Sequence, residues 1–148
     1  MAGMYFEDFS AGDRFMTSRR TITEADIVNF VNLAGWDTPL FMDMEYVREK
    51  TMFGERIAPG GLVLSIALGQ WVRMGLFHDT VIAMLGLQVK FTHPVKPGDT
   101  IGSEISVVSK RESAKQDRGT IDFGYTVKNQ SDVVVAELIE SVLLKRKG

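Results

Sequence analysis

The sequence predicts an α+β fold in which one long apolar helix packs against an antiparallel sheet. Three observations predict it. From Leu62 to Leu76 almost every residue is apolar or small, directly after Pro59-Gly60-Gly61. In the second half, Ile121, Phe123, Tyr125 and Val127 alternate with Asp122, Gly124, Thr126 and Lys128, the period of a half-buried strand. The links between such runs, Pro94–Asp99 and Asn129–Asp132, are short and rich in turn residues, which implies antiparallel pairing. Helices first and strands afterwards read as α+β.

The 148 residues suit one domain, 1–148, with a sizeable core. Apolar residues make up 45% and charged residues 24%, a globular composition that excludes disordered and collagen-like classes. A net charge of −2 excludes an overall basic surface, so no nucleic-acid partner is expected. Lys145, Arg146 and Lys147 are expected to form a solvated tail. The absence of cysteine removes disulfides, thiol catalysis and thiolate metal sites, and accords with a reducing, cytoplasmic compartment. With only His78 and His93, no metal centre is expected. Met1–Asp8 has no hydrophobic run and does not read as a secretory signal. Gly60–Phe77 is apolar but short for a bilayer and contains Gln70 and Arg73, so it reads as a core helix and no membrane partner is expected.

Residues 1–12 read as an extended arm anchored by Tyr5, Phe6 and Phe9, followed by a strand within Asp13–Arg20. Thr23 and Asp26 form a capping-box pattern, and Ile27, Phe30, Val31 and Ala34 recur at helical spacing until Gly35. Trp36–Phe41 is a Pro39-containing turn, and Asp43 caps a short helix through Arg48. Pro59 opens the long helix, where its missing N–H costs nothing, and the helix is expected to be covered on most sides. Leu85, Leu87, Val89 and Phe91 mark one strand, Ile101, Ile105 and Val107 another, and the last strand runs from Val133 to about Leu144. Met42, Met44, Met52, Met74 and Met84 read as core filler.

Two segments stand out: Ala34-Gly35-Trp36-Asp37-Thr38-Pro39-Leu40-Phe41-Met42-Asp43 and Phe53-Gly54-Glu55-Arg56-Ile57-Ala58-Pro59-Gly60-Gly61-Leu62. Here the sequence resembles the MaoC-like, (R)-specific enoyl-CoA hydratase family, which has the hot-dog fold. The family's hydratase motif reads roughly Gly-Asp-x-Asn-Pro-(Ile/Leu)-His, and the same seven positions here are Gly35-Trp36-Asp37-Thr38-Pro39-Leu40-Phe41. Its Ile-x-His-Gly approach to the central helix corresponds to Ile57-Ala58-Pro59-Gly60. The arm Tyr5–Phe9 with Gly12, the helix start Thr21–Asp26 and the turn Phe91–Asp99 match in the family's order.

The resemblance implies a site that binds acyl-CoA or a related acyl thioester, with CoA as part of the substrate and no other cofactor. It implies oxyanion amides at Gly60 and Gly61, where a helix start offers free N–H groups and a positive dipole end. It implies a homodimer, or a heteromer with a catalytically intact relative. The family's proton-moving Asp and His fall on Trp36 and Phe41, neither of which can move a proton. Thr38 stands at the motif's Asn and Pro59 at the His before the helix glycine. Asp37 is the remaining acid/base candidate, its alternative role being to bond turn amides. Ser65 matches a position where the family often has a small hydroxyl residue, the alternative being a buried serine bonded to the i−4 carbonyl. Trp36 and Phe41 are expected to fill the space of a water and its dyad, giving a drier pocket. His78 is expected to meet the negative end of the long helix, and His93 to line a pocket or subunit contact. The expected activity is hydratase/dehydratase-type lyase chemistry. The alternatives are a thioesterase using a lone carboxylate and a non-catalytic subunit or acyl-thioester sensor.

Overall fold

The structure, a computed structural model, describes residues 2–148; Met1, the first residue of the expected arm, lies outside them. The arm is less extended than its sequence suggests. Phe6–Asp8 closes one 3-10 turn because the Asp8 carboxylate accepts from the Tyr5 N–H at 2.9 Å. Phe6 and Phe9 are buried as expected, and Tyr5 is half-buried.

The region expected to be one strand is two short ones, β1 (Arg14–Met16) and β2 (Arg20–Thr21), both paired with β4. Helix α1 (Glu24–Ala34) begins as predicted. The Asp26 N–H donates to Thr23 Oγ1 at 3.1 Å, and the Asp26 carboxylate accepts from the Thr23 N–H at 2.8 Å. It ends at Gly35, whose φ of 76° needs glycine. The turn expected at Trp36–Phe41 contains a short helix, α2 (Pro39–Met42), with Pro39 in its first turn. Asp43 then caps α3 (Met44–Lys50) by accepting from the Tyr46 N–H at 3.0 Å.

Helix α4 (Gly60–Val72) stops four residues before Leu76. It buries Leu62, Val63, Ala67, Gln70 and Trp71 against the sheet. The Trp71 ring sits 5.2 Å from those of Phe15, Phe77 and Phe123. Gln70 Nε2 donates to the carbonyls of Ser18 and Ile101 at 2.9 and 3.0 Å, while its buried Oε1 has no partner among the described residues. Full coverage of α4 is not what the structure shows. Gly61, Ser65, Leu68 and Val72 form a stripe at helical spacing in which Ser65 and Val72 are exposed and Gly61 and Leu68 half-buried.

The sheet contains β3 (Val81–Phe91), β4 (Thr100–Glu112), β5 (Arg118–Lys128) and β6 (Val134–Lys145) in the order β1-β4-β5-β6-β3. All pairings are antiparallel. The predicted alternation holds in β4 and β5, whose Ile101, Ile105, Val107, Ile121, Phe123, Tyr125 and Val127 face α4 and are buried. It fails in β3. A register shift between Met84 and Gly86 turns Leu85 outward, and Phe91 is exposed at the strand's end. Nor does β3 pair with β4, its successor. It lies beside β6 at the far edge, so residues 92–99 cross the end of the sheet, anchored by buried Val95 and Asp99.

The basic C-terminal residues are docked rather than solvated. Arg146 pairs with Glu7 at 2.8 Å and Lys147 with Asp8 at 2.5 Å. The methionines are not uniformly core filler either: Met42, Met52 and Met84 are exposed, while Met74 packs against the core. No helix among the described residues is long and apolar enough to cross a membrane.

Candidate active site

The approach to α4 is held by backbone. The Ala58 N–H donates to the Val95 carbonyl at 2.6 Å, tying the approach to the crossing link. Pro59 is buried in an extended conformation, and its carbonyl accepts from the Leu62 N–H at 3.0 Å and the Val63 N–H at 3.3 Å. Gly60 and Gly61 precede those donors, and among the described residues neither N–H has an acceptor. Two free amides thus stand at the positive end of a 13-residue helix, an arrangement suited to a carbonyl oxygen or an anion.

Aromatic rings flank both glycines. A Cβ on Gly60 would meet the Phe91 ring at 2.8 Å, and one on Gly61 would meet Phe30 at 2.9 Å and Trp36 at 3.1 Å. A side chain at either position would have to push these rings aside. Beside Gly60 lies a cavity of about 370 Å³, lined among others by Phe53, Ile57, Val63, Phe91, His93 and Val135.

The segment expected to supply side-chain chemistry lies on the Gly61 side. Trp36 packs against Phe30 and Phe41, with ring centroids 5.6 and 5.9 Å away. Phe41 is half-buried, whereas Trp36 keeps 39% of its surface exposed. The loop is tied down by Arg56, which donates to the Phe41 carbonyl and to Glu24, both at 2.9 Å. Asp37 and Thr38 are exposed. No hydrogen bond reaches the Asp37 carboxylate among the described residues, so the turn-amide role considered for it is not what the structure shows. Ser65 is exposed and makes no bond to the Gly61 carbonyl, against the buried-serine alternative.

The structure therefore brings Gly60, Gly61 and Trp36 together, with Phe41 behind Trp36. Of the predicted site residues only Gly60 lines the cavity beside it; Trp36, Asp37, Thr38, Phe41, Pro59, Gly61 and Ser65 do not. His93 does, and its ring nitrogen Nδ1 lies 2.8 Å from the Pro94 carbonyl. The sequence left His93 between a pocket and a subunit contact; the crossing link brings it to the cavity beside the helix start. His78 lies in the turn beyond α4, beside Asp79 at 3.4 Å, six residues past the helix end and not at its terminal carbonyls. No cluster of possible metal ligands occurs among the described residues.

The model of the MaoC like domain matches residues 8–129, most of the chain. This chain belongs to the MaoC-like family. It is 42% identical over 115 residues to Protein MaoC of Klebsiella aerogenes, covering 77% of this chain and 33% of that protein. It is 30% identical over 149 residues to the beta-methylmalyl-CoA dehydratase of Chloroflexus aurantiacus, covering 98% of this chain and 41% of that one. The MaoC-like chain thus spans only 33 to 41% of the length of these curated relatives. A solved structure described as a monoamine oxidase regulatory protein of Archaeoglobus superposes with a TM-score of 0.91 at 36% identity, covering 99% of this chain and 97% of that one. A double hot-dog protein of Mycobacterium tuberculosis superposes at 0.85 with 24% identity, over 98% of this chain and 45% of its own length, and supports the fold alone. The MaoC-like chain has the hot-dog fold expected from the resemblance.

Proposed function

We propose that this protein binds an acyl-CoA or related acyl thioester at the start of α4 and performs hydratase/dehydratase-type lyase chemistry there with a non-standard acid–base group. The free amides of Gly60 and Gly61, with an apolar cavity beside Gly60, carry the reading. The name of the dehydratase relative supports the same class of substrate.

In the hydration direction, water oxygen adds to C3 of an enoyl thioester. The double-bond electrons move to the thioester oxygen, which the two amides hold as an enolate. Asp37 takes the proton lost by water and returns it to C2, so the net change is addition of one water. Amides set for the developing charge contribute on the order of 3 kcal/mol to such a transition state. CoA is the only cofactor-like group involved, as part of the substrate. The protein acts as a homodimer, or as a heteromer with a catalytically intact relative, in the cytoplasm.

A second reading is favoured by the Trp36 cluster against Gly61: the chain binds the thioester without turning it over. One assay separates the two. Crotonyl-CoA and longer or branched enoyl-CoAs are offered to wild type and Asp37→Asn. Wild-type turnover that falls by about 10² in the variant is the expected result. An unchanged variant removes Asp37 from the mechanism, binding without turnover establishes the second reading, and release of free CoA thiol from saturated acyl-CoAs reveals a thioesterase instead.

A further inference from the structure

The cavity beside Gly60 is lined by one ionisable side chain, His93. Its other lining side chains are apolar except Thr92, whose hydroxyl is engaged in donating to the Val134 carbonyl at 2.7 Å. Asp37 stands in the loop on the Gly61 side and does not line this cavity. Glu140, the buried acid of β6, accepts from the Tyr125 hydroxyl and lines a different cavity, with Leu68 and Val72 late in α4. A proton that moves within the Gly60 cavity therefore has the His93 imidazole as its partner.

The backbone that carries His93 is pinned on both sides. The Thr92 and His93 N–H groups donate to the Val135 carbonyl at 3.0 and 3.4 Å, which ties the residue to β6. Two residues on, the Val95 carbonyl accepts from the Ala58 N–H at 2.6 Å, two residues before Gly60. Phe91, two residues before His93, is the ring that a Cβ on Gly60 would meet at 2.8 Å. The ring nitrogen Nδ1 lies 2.8 Å from the Pro94 carbonyl, which can only accept. That contact assigns the proton to Nδ1 and leaves Nε2 bare, the form of imidazole that acts as a base. Among the described residues no hydrogen bond reaches Nε2. His93 also lines an adjoining cavity of about 450 Å³, whose charged groups are already engaged. Lys96 pairs with Glu55 at 3.2 Å, and Asp99 accepts from Gln130 Nε2 at 2.8 Å and from the Lys96 N–H at 3.0 Å.

We propose that His93 is the acid–base group at C2 of the acyl thioester, its Nε2 exchanging a proton with that carbon, while Asp37 serves the oxygen at C3. This rests on the acyl-thioester reading above and divides between two groups the proton path given there to one. C2 is one bond from the carbonyl carbon, so a thioester oxygen on the Gly60 amide brings the C2 proton to the cavity that His93 lines. In the dehydration direction Nε2 takes the C2 proton, and the C–H electron pair moves into an enolate whose oxygen the two amides hold. The enolate pair then forms the C2–C3 double bond as the C3–O bond breaks, and the departing oxygen takes a proton from Asp37 and leaves as water. The imidazolium hands its proton to the Asp37 carboxylate through solvent, since both residues are exposed, so one water is lost and both groups are reset. Hydration is the same path reversed. Throughout, the Pro94 carbonyl holds Nδ1–H and keeps Nε2 turned to accept.

Butyryl-CoA in heavy water isolates this step, because it has a C2 proton to exchange and no hydroxyl to lose. Wild type exchanges that proton, followed by mass spectrometry. His93→Gln, which keeps a polar side chain but cannot carry the proton, lowers the exchange rate by about 10² while its circular dichroism and its calorimetric affinity for butyryl-CoA stay at wild-type values. His93→Ala loses exchange to the same extent, and added imidazole restores it from the vacated space, which a purely structural role would not allow. Asp37→Asn loses hydration of crotonyl-CoA and keeps C2 exchange. Exchange that survives His93→Gln, that imidazole does not restore in His93→Ala, or that disappears in Asp37→Asn overturns the assignment. A wild type that binds butyryl-CoA without exchanging its C2 proton sinks this proposal alone, whereas failure of wild type to bind any acyl-CoA sinks the acyl-thioester reading with it.

Discussion

The two sides of the helix start are built from different material. On one side, Gly60 and Gly61 offer main-chain amides whose direction is set by the helix and by the Ala58–Val95 hydrogen bond. On the other, Trp36, Phe30 and Phe41 pack as a ring cluster, and the one nearby carboxylate, Asp37, is exposed and unbonded. The amide side survives any sequence change that keeps the helix and its glycines, because a backbone donor belongs to the fold. The proton-moving side depends on individual side chains. On the proposed reading, the fold supplies the groups that polarise a thioester carbonyl, whereas the groups that move a proton depend on which side chains stand at Trp36, Asp37 and Phe41.

The sharpest way to break this comparison is to block the amide side. Gly61→Val places methyl groups where a bare Cβ already meets Phe30 at 2.9 Å and Trp36 at 3.1 Å. Acyl-CoA turnover is expected to fall by about 10³, the scale of a lost oxyanion donor, with the far-ultraviolet circular dichroism unchanged. Retained turnover would place the thioester elsewhere. Rebuilding the other side is the converse. The double substitution Trp36→Asp and Phe41→His restores a titratable pair, and hydration of crotonyl-CoA is expected to rise by about 10². A rebuilt protein that binds crotonyl-CoA without gaining turnover would show that the loop, and not only its residues, has changed. The smallest effect concerns what holds the aromatic cluster in place. Arg56→Ala removes the bond to the Phe41 carbonyl and the pair with Glu24, and should cost about 1–2 kcal/mol in urea unfolding while shifting Trp36 fluorescence. An unshifted spectrum would mean that packing alone positions the cluster.

Much of the fold was legible because it is written in local patterns. Thr23 and Asp26 close a capping box, Gly35 takes the left-handed turn and Asp43 caps the next helix, each within four residues of its partner. The period of two in β4 and β5 appears directly as burial. Strand β3 shows where such reading stops: its alternation suggested one inward face, but the shift at Met84/Gly86 and its place at the sheet edge expose Leu85 and Phe91. Neither a bulge nor an edge position leaves a mark in residue spacing. Ser65 likewise sits in an apolar run yet faces out, because a run that is apolar all round does not say which side is covered.

By itself the sequence determined that a glycine-started apolar helix meets an antiparallel sheet, and it placed Trp36 and Phe41 in the segment where the resemblance implies a proton-moving pair. Only the tertiary structure decided which groups share a site. It packed Phe91 and Trp36 on the two glycines, brought His93 to the Gly60 cavity through the crossing link, and set Tyr125 against Glu140 across two strands. Helix caps and strand periods depend on contacts a few residues apart, whereas these sites depend on the crossing of residues 92–99 and on strand register, which join residues 15 or more positions apart.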